Sequence, residues 1–104
     1  MMYEDRLNKV TPQTLAMRLH KVVRCYEEYA RRMNRVSKED TVAEYFAMLN
    51  KYEEEAMLIM DYAVVVGCYG HRLACMESYM VRLDEAKTNF YATNIEKVEM
   101  FGII

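Results

Sequence analysis

Residues 64–75 read VVVGCYGHRLAC, and the two glycines in this stretch decide the fold. Glycine enters the left-handed backbone region without steric cost, so it commonly ends helices. If Gly67 ends one helix and Gly70 caps the next, the chain folds back here. If both lie inside one helix, that helix runs from 38 to about 92 and reaches about 80 Å at 1.5 Å per residue. Ala63, Gly67, Gly70, Ala74 and Ser78 then form a small-residue stripe against which another chain packs. Each interior glycine costs such a helix about 1 kcal/mol. The hydrophobic register also shifts across residues 66–69, as a break requires. A turn is the favoured reading.

Working outward from this turn, the spacing of apolar residues predicts three long helices. With one proline, at 12, and three glycines in 104 residues, the chain is too poor in turn residues for anything but a mostly helical fold. Leu15, Leu19, Val22, Tyr26, Tyr29, Met33 and Val36 recur at alternating steps of four and three, which marks one helix face over about 12–36. Thr11 is its N-cap and Pro12 its first residue, where a missing N–H is harmless. Glu27–Arg31 and Glu28–Arg32 stand at i,i+4 in the favourable order. Val42, Tyr45, Leu49, Tyr52, Ala56, Ile59, Ala63 and Val66 define a second helix over about 38–66, with Ser37 as cap. Its second half, AMLIMDYAVVV, is apolar nearly all round and is expected to be buried on most sides. Tyr69, Leu73, Met76, Met80, Leu83 and Phe90 define a third over about 71–92. Residues 2–10 form a short helical lead-in, and TNIEKVEMFGII is a tail readable as helix or as extended chain. The expectation is an all-α, antiparallel three-helix bundle in one domain over 1–104. The alternative is a helix hairpin with one long helix 38–92, completed by oligomerisation.

Composition narrows the function classes. Ten methionines stand against eleven leucines and isoleucines together, and nine tyrosines against no tryptophan. Methionine adapts its shape to a partner, and tyrosine suits half-buried surfaces. Three cysteines leave one unpaired in any disulfide scheme, and MMYEDRLNKV lacks the apolar core of a signal peptide, so a reduced, cytoplasmic setting is expected. No apolar run is long enough to span a bilayer. Net charge is −2 but uneven: residues 1–38 carry nine cations and four acids, residues 39–104 five and twelve.

Constellations with chemical potential are few. Cys68, His71 and Cys75 carry zinc-type ligands, with His20 or Cys25 as a conceivable fourth, but two turns of helix separate the outer pair, too far for bonds of about 2.3 Å to one ion. No metal or cofactor is therefore expected. Neither His20 nor His71 adjoins a nucleophile motif. There is no phosphate loop, nucleophile elbow or Glu-x-x-His pair, so no catalytic residue is assigned. Lys21, Arg24, Arg31, Arg35 and Lys38 follow one stripe that could track phosphates, interrupted by Glu28. Glu53–Glu55 read as a solvated face.

These features point to a non-catalytic protein-binding regulator or inhibitor that self-associates, with a phage origin suggested only by size. Tyr45, Tyr52, Met57, Met60, Tyr69, Met76 and Met80, as exposed members of the seams, are the expected partner-binding residues, with Phe101 in the C-terminal MFGII. The alternative is nucleic-acid or nucleotide binding through the basic stripe.

Overall fold

A computed structural model describes residues 11–36 and 39–100. Its elements are α1 (Pro12–Met33), α2 (Glu39–Val65), α3 (Gly70–Thr93) and the short α4 (Ile95–Met100). No described residue lies in a strand. The chain runs up, down and up. Phe46 and Glu53 of α2 meet Phe90 and Lys87 of α3 in antiparallel register, whereas Glu27 and Asn34 of α1 meet Arg82 of α3 and Asn94 just beyond it in parallel register.

The glycine stretch is a turn. Gly67 has φ +81°. Its N–H donates to the Val64 carbonyl at 3.2 Å, and the Cys68 N–H donates to the Ala63 carbonyl at 2.9 Å. These two bonds form a Schellman motif, which satisfies carbonyls that the helix end leaves open. The apolar contact that accompanies the motif is supplied by Cys68 and Ala63, both buried in the core. Gly70 does not cap α3 as expected. It is the first helical residue, with φ +67°, and Tyr69 occupies the N-cap without any side-chain hydrogen bond. The single long helix 38–92 is therefore excluded.

At the other helix ends local chemistry explains the boundaries. The Thr11 hydroxyl accepts from the Thr14 N–H at 3.3 Å, with Pro12 at the first position. α1 stops at Met33, three residues earlier than the seam suggests, and residues 34–36 leave in tight i→i+3 turns. The Lys97 ammonium donates to the Met33 carbonyl at 3.0 Å and so closes this end from α4. The ambiguous tail is thus helical through Met100. The lead-in over 2–10, Ser37, Lys38 and Phe101 lie outside the described residues.

The core is built around α1. Seven of its residues are buried and apolar (Leu15, Leu19, Val22, Val23, Tyr26, Ala30, Met33), against six on α2 and only Met76, Leu83 and Phe90 on α3. Burying each large side chain stabilises the fold by roughly 1.5–3 kcal/mol. Both α2 and α3 pack closely on α1, while they approach each other along little of their length. The radius of gyration, 15.2 Å, exceeds the roughly 13 Å of a compact chain of this length, as the long helices require, α2 alone spanning about 40 Å at 1.5 Å per residue. What joins α2 to α3 is side chains at one end: Phe46 against Phe90, with ring centroids 5.3 Å apart, and Glu53 bound to Lys87 at 2.6 Å. The sequence pattern placed Tyr45 rather than Phe46 in the second seam. Phe46 also stands four residues after Val42 and three before Leu49, and that spacing was its signal.

Several expectations fail at the turn. Residues 56–66 are not buried on most sides: Met57, Leu58, Val64 and Val65 are 55%, 47%, 66% and 79% exposed. Val66 and Tyr69 leave the seams and face solvent, because the Schellman turn rotates the chain away from the core there.

Candidate functional site

The exposed apolar residues gather on one side of the bundle, and helical phase shows which. At about 100° per residue, Phe46, Glu53, Met57, Met60 and Val64 fall within an arc of about 60° on α2. Phe46 and Glu53 are the side chains that reach α3. Met57, Met60 and Val64 therefore continue the α3-facing side of α2 toward the turn. On α3, Leu73, Met80, Lys87 and Tyr91 share an arc of about 40°. Tyr91 meets Phe46 and Lys87 meets Glu53, so Leu73 and Met80 face α2. Toward the turn, Met57 and Val64 stay 55% and 66% exposed although they lie on this side of α2. The result is an apolar face from Glu53 to Val64, about 17 Å long at 1.5 Å per residue.

Carboxylates edge this face. Asp61 and Glu54 lie just outside the apolar arc of α2, Glu77 and Asp84 just outside that of α3, and all four are exposed. None forms an ion pair among the described residues. The only described cation in these arcs is Lys87. Its hydrogen bond to Glu53, with the nearby charges of Glu53, Tyr91 and Asp84, raises its pKa above the usual lysine value against a smaller opposing effect of burial. Tyr26 lies inside the same junction. Burial, then the charges of Glu53 and Tyr91, push its hydroxyl above the ordinary tyrosine range.

The residues expected at a binding surface divide into three groups. Met57, Met60 and Met80 belong to this face, and Met60 and Met80 are half-buried in it. Tyr45 and Tyr52 lie about 100–120° round α2 from Phe46 and pack on Tyr29, with centroids 5.4 and 5.6 Å away, so they join α1 to α2 instead of facing outward. Met76 is not exposed at all; it fills the core beneath α1 at 0% exposure. Tyr69 is 81% exposed at the rim of the turn. Val64, Leu73, Asp61, Glu77 and Asp84 were not chosen as binding residues from sequence, and Glu54 was read there only as part of the solvated run Glu53–Glu55. Their signal lay in the phase relation between two helices, which requires knowing which faces meet.

The basic stripe faces solvent on α1. Lys21, Arg24, Arg31 and Arg35 are exposed there. Arg31 pairs with Glu28, as does Arg32 at 3.2 Å, and the Arg31 hydrogen bond foremost holds the Glu28 carboxyl below the usual range. Glu27 does not pair with Arg31. It turns inward to take a two-pronged bond from Arg82 at 2.7 and 3.3 Å, which fixes α3 on α1.

The cysteines and histidines separate. Cys68 is in the core, while His71 is exposed with its Nε2 3.6 Å from the Cys75 sulfur. His20 stacks on Tyr79 at 4.8 Å. All three cysteines are free thiols, and no group of three metal-binding side chains converges among the described residues. A cleft of about 380 Å³ between α1 and α3 includes Glu27, Asn34, Arg82 and Asn89, and its inner ion pair closes on itself. No helix among the described residues is long and apolar enough to cross a membrane. The chain matches no protein-family model, and no curated protein or solved structure matches it.

Proposed function

We propose that this chain is a non-catalytic, protein-binding regulator or inhibitor that acts by seating a partner on the α2–α3 face, in a reduced, cytoplasmic setting. The observation that carries it is the exposure of Met57 and Val64, 55% and 66%, on the α3-facing side of α2. Contiguous exposed apolar surface rimmed by polar groups marks interaction sites in soluble proteins. Methionine is the side chain best able to fit a partner's contours there. Self-association belongs to a different surface: Leu58 and Val65 point away from both neighbouring helices and are available to a second copy.

The test compares proteins retained from host lysate by the parent chain and by Met57→Lys/Val64→Glu. Specific retention by the parent, lost in the variant, supports the reading, as does a change in the retained partner's activity on adding the chain. Identical retention by both overturns it. The basic stripe supports a second reading, nucleic-acid or nucleotide binding, because Lys21, Arg24 and Arg35 carry no ion pair among the described residues. Weighing against it, Glu28 neutralises part of the stripe, and the rings beside it, His20 and Tyr29, are already packed on Tyr79 and on Tyr45 and Tyr52.

A further inference from the structure

We infer that the partner element seated on the α2–α3 face is a cationic amphipathic helix, its apolar side on Met57, Met60, Val64, Leu73 and Met80 and its lysines or arginines on Asp61, Glu54, Glu77 and Asp84. This rests on the protein-binding reading above and names the chemistry of the partner. The shape argues for a helix. Two antiparallel helices that approach each other along little of their length, with Met57 and Val64 exposed, offer a shallow apolar trough of about 17 Å, the length of about eleven helical residues. An amphipathic helix laid in such a trough places anchors at i, i+3, i+4 and i+7. The Phe46–Phe90 contact and the Glu53–Lys87 bridge close one end, and the turn at Gly67 bounds the other.

The charge pattern argues for a cationic one. Both rims are acidic, the acids are exposed, and among the described residues none is in an ion pair, Asp84 alone standing near the Lys87 ammonium. An acidic helix would meet like charge on both edges, and such juxtaposition is how interfaces reject wrong partners. The cations of this chain's own α1 are not the natural occupant. They lie on the side of α1 opposite its buried stripe, with Met17 as the one large apolar residue among them, so a second copy cannot offer them together with an apolar seam.

The experiment uses the full chain and two synthetic helical peptides of about eighteen residues, one built of leucine and lysine, the other with every lysine replaced by glutamate. Binding is read by fluorescence anisotropy at low and at high salt. The lysine peptide is expected to bind, more weakly as salt rises, and the glutamate peptide not to bind. Met57→Lys, and separately Asp61→Lys/Glu77→Lys, are expected to weaken the lysine peptide about tenfold. Lys21→Glu/Arg24→Glu on α1 is expected to leave it unweakened. All substituted side chains are exposed, and circular dichroism confirms that each variant is folded. Equal binding of both peptides, or binding unmoved by the α2–α3 variants, overturns the inference. So does a dimer of the free chain that Met57→Lys dissociates, since a second copy then covers the face. If neither peptide binds while lysate capture still depends on Met57, the cationic helix is refuted and the protein-binding reading stands.

Discussion

Replacing Gly67 with alanine separates the turn from the continuous helix by the sign of one number. In the structure Gly67 has φ +81° and Gly70 φ +67°. A Cβ added at either position meets nothing within 4 Å, so the cost of alanine is purely that of its backbone. Holding an L-residue in the left-handed region costs about 1–2 kcal/mol. Within a continuous helix the same substitution is favourable by about 0.8–1.0 kcal/mol, because alanine is the best helix former. The two structures therefore differ by roughly 2–3 kcal/mol at Gly67, in opposite directions. The assay is equilibrium urea unfolding followed by circular dichroism, with the slope compared between variants. An unchanged slope and a lower midpoint show lost stability without a change in buried surface. The melting temperature of a chain this size is expected to fall by roughly 4–8 °C per kcal/mol. A rise in stability for both Gly67→Ala and Gly70→Ala would refute the turn, and with it the placement of every residue on α3.

Other consequences are equally open to measurement. Met76→Ala removes a fully buried side chain and is expected to cost about 2–5 kcal/mol in urea unfolding, whereas Met57→Ala, at an exposed site, should change stability by less than about 0.5 kcal/mol. The buried Asn94 amide donates to the Asn34 side chain and to the Phe90 carbonyl, both at 2.9 Å; alanine loses these bonds but keeps the Asn94 backbone N–H on the Phe90 carbonyl, and Asn34 is exposed to water, so Asn94→Ala should cost about 0.5–1.5 kcal/mol in urea unfolding. Tyr26 titrates higher in the folded than in the unfolded chain, so its contribution is intact below pH about 10 and is lost as pH rises from there toward the folded value. Tyr26→Phe should flatten that alkaline decline; an unchanged slope above pH about 10 would contradict the burial assigned to the hydroxyl. Mixed oligonucleotides are expected not to bind the parent chain at about 50 mM salt, and binding that Arg31→Glu/Arg35→Glu abolishes would restore the phosphate-tracking role of α1.

Much of the architecture was legible because it is written in short-range pattern. The cap at Thr11–Pro12, the seam from Leu15 to Met33 and the break at Gly67 each depend on residues within a few positions of one another. What failed was long-range. AMLIMDYAVVV is apolar nearly all round, and burial on most sides follows only if enough neighbours exist. α1 covers one side of this segment, α3 covers little of the next, and Leu58 and Val65 have no described element over them. Glu27 illustrates the same limit. Its local partner was Arg31, but Arg82, fifty-five residues on, offers a bidentate bond across the helix joint and takes it. The site was half legible. Its methionines were chosen for their chemistry, yet Met76 and Met80, one turn apart on α3, differ in burial: Met76 is at 0% exposure in the core and Met80 is half-buried at its edge. The rim acids could not be found until the facing arcs of α2 and α3 were known.

The account turns on methionines that face outward beside methionines that do not, and this is directly measurable. The free chain is exposed briefly to hydrogen peroxide, and sulfoxide at each methionine is quantified by peptide mass spectrometry, with and without the leucine–lysine peptide. Met17 and Met57, 64% and 55% exposed, should oxidise quickly, and Met33 and Met76, both at 0%, slowly. On adding the peptide, Met57 should gain protection while Met17, on the far side of α1, should not. Slow oxidation of Met57 in the free chain, or equal protection of Met17 and Met57 by the peptide, would contradict the account.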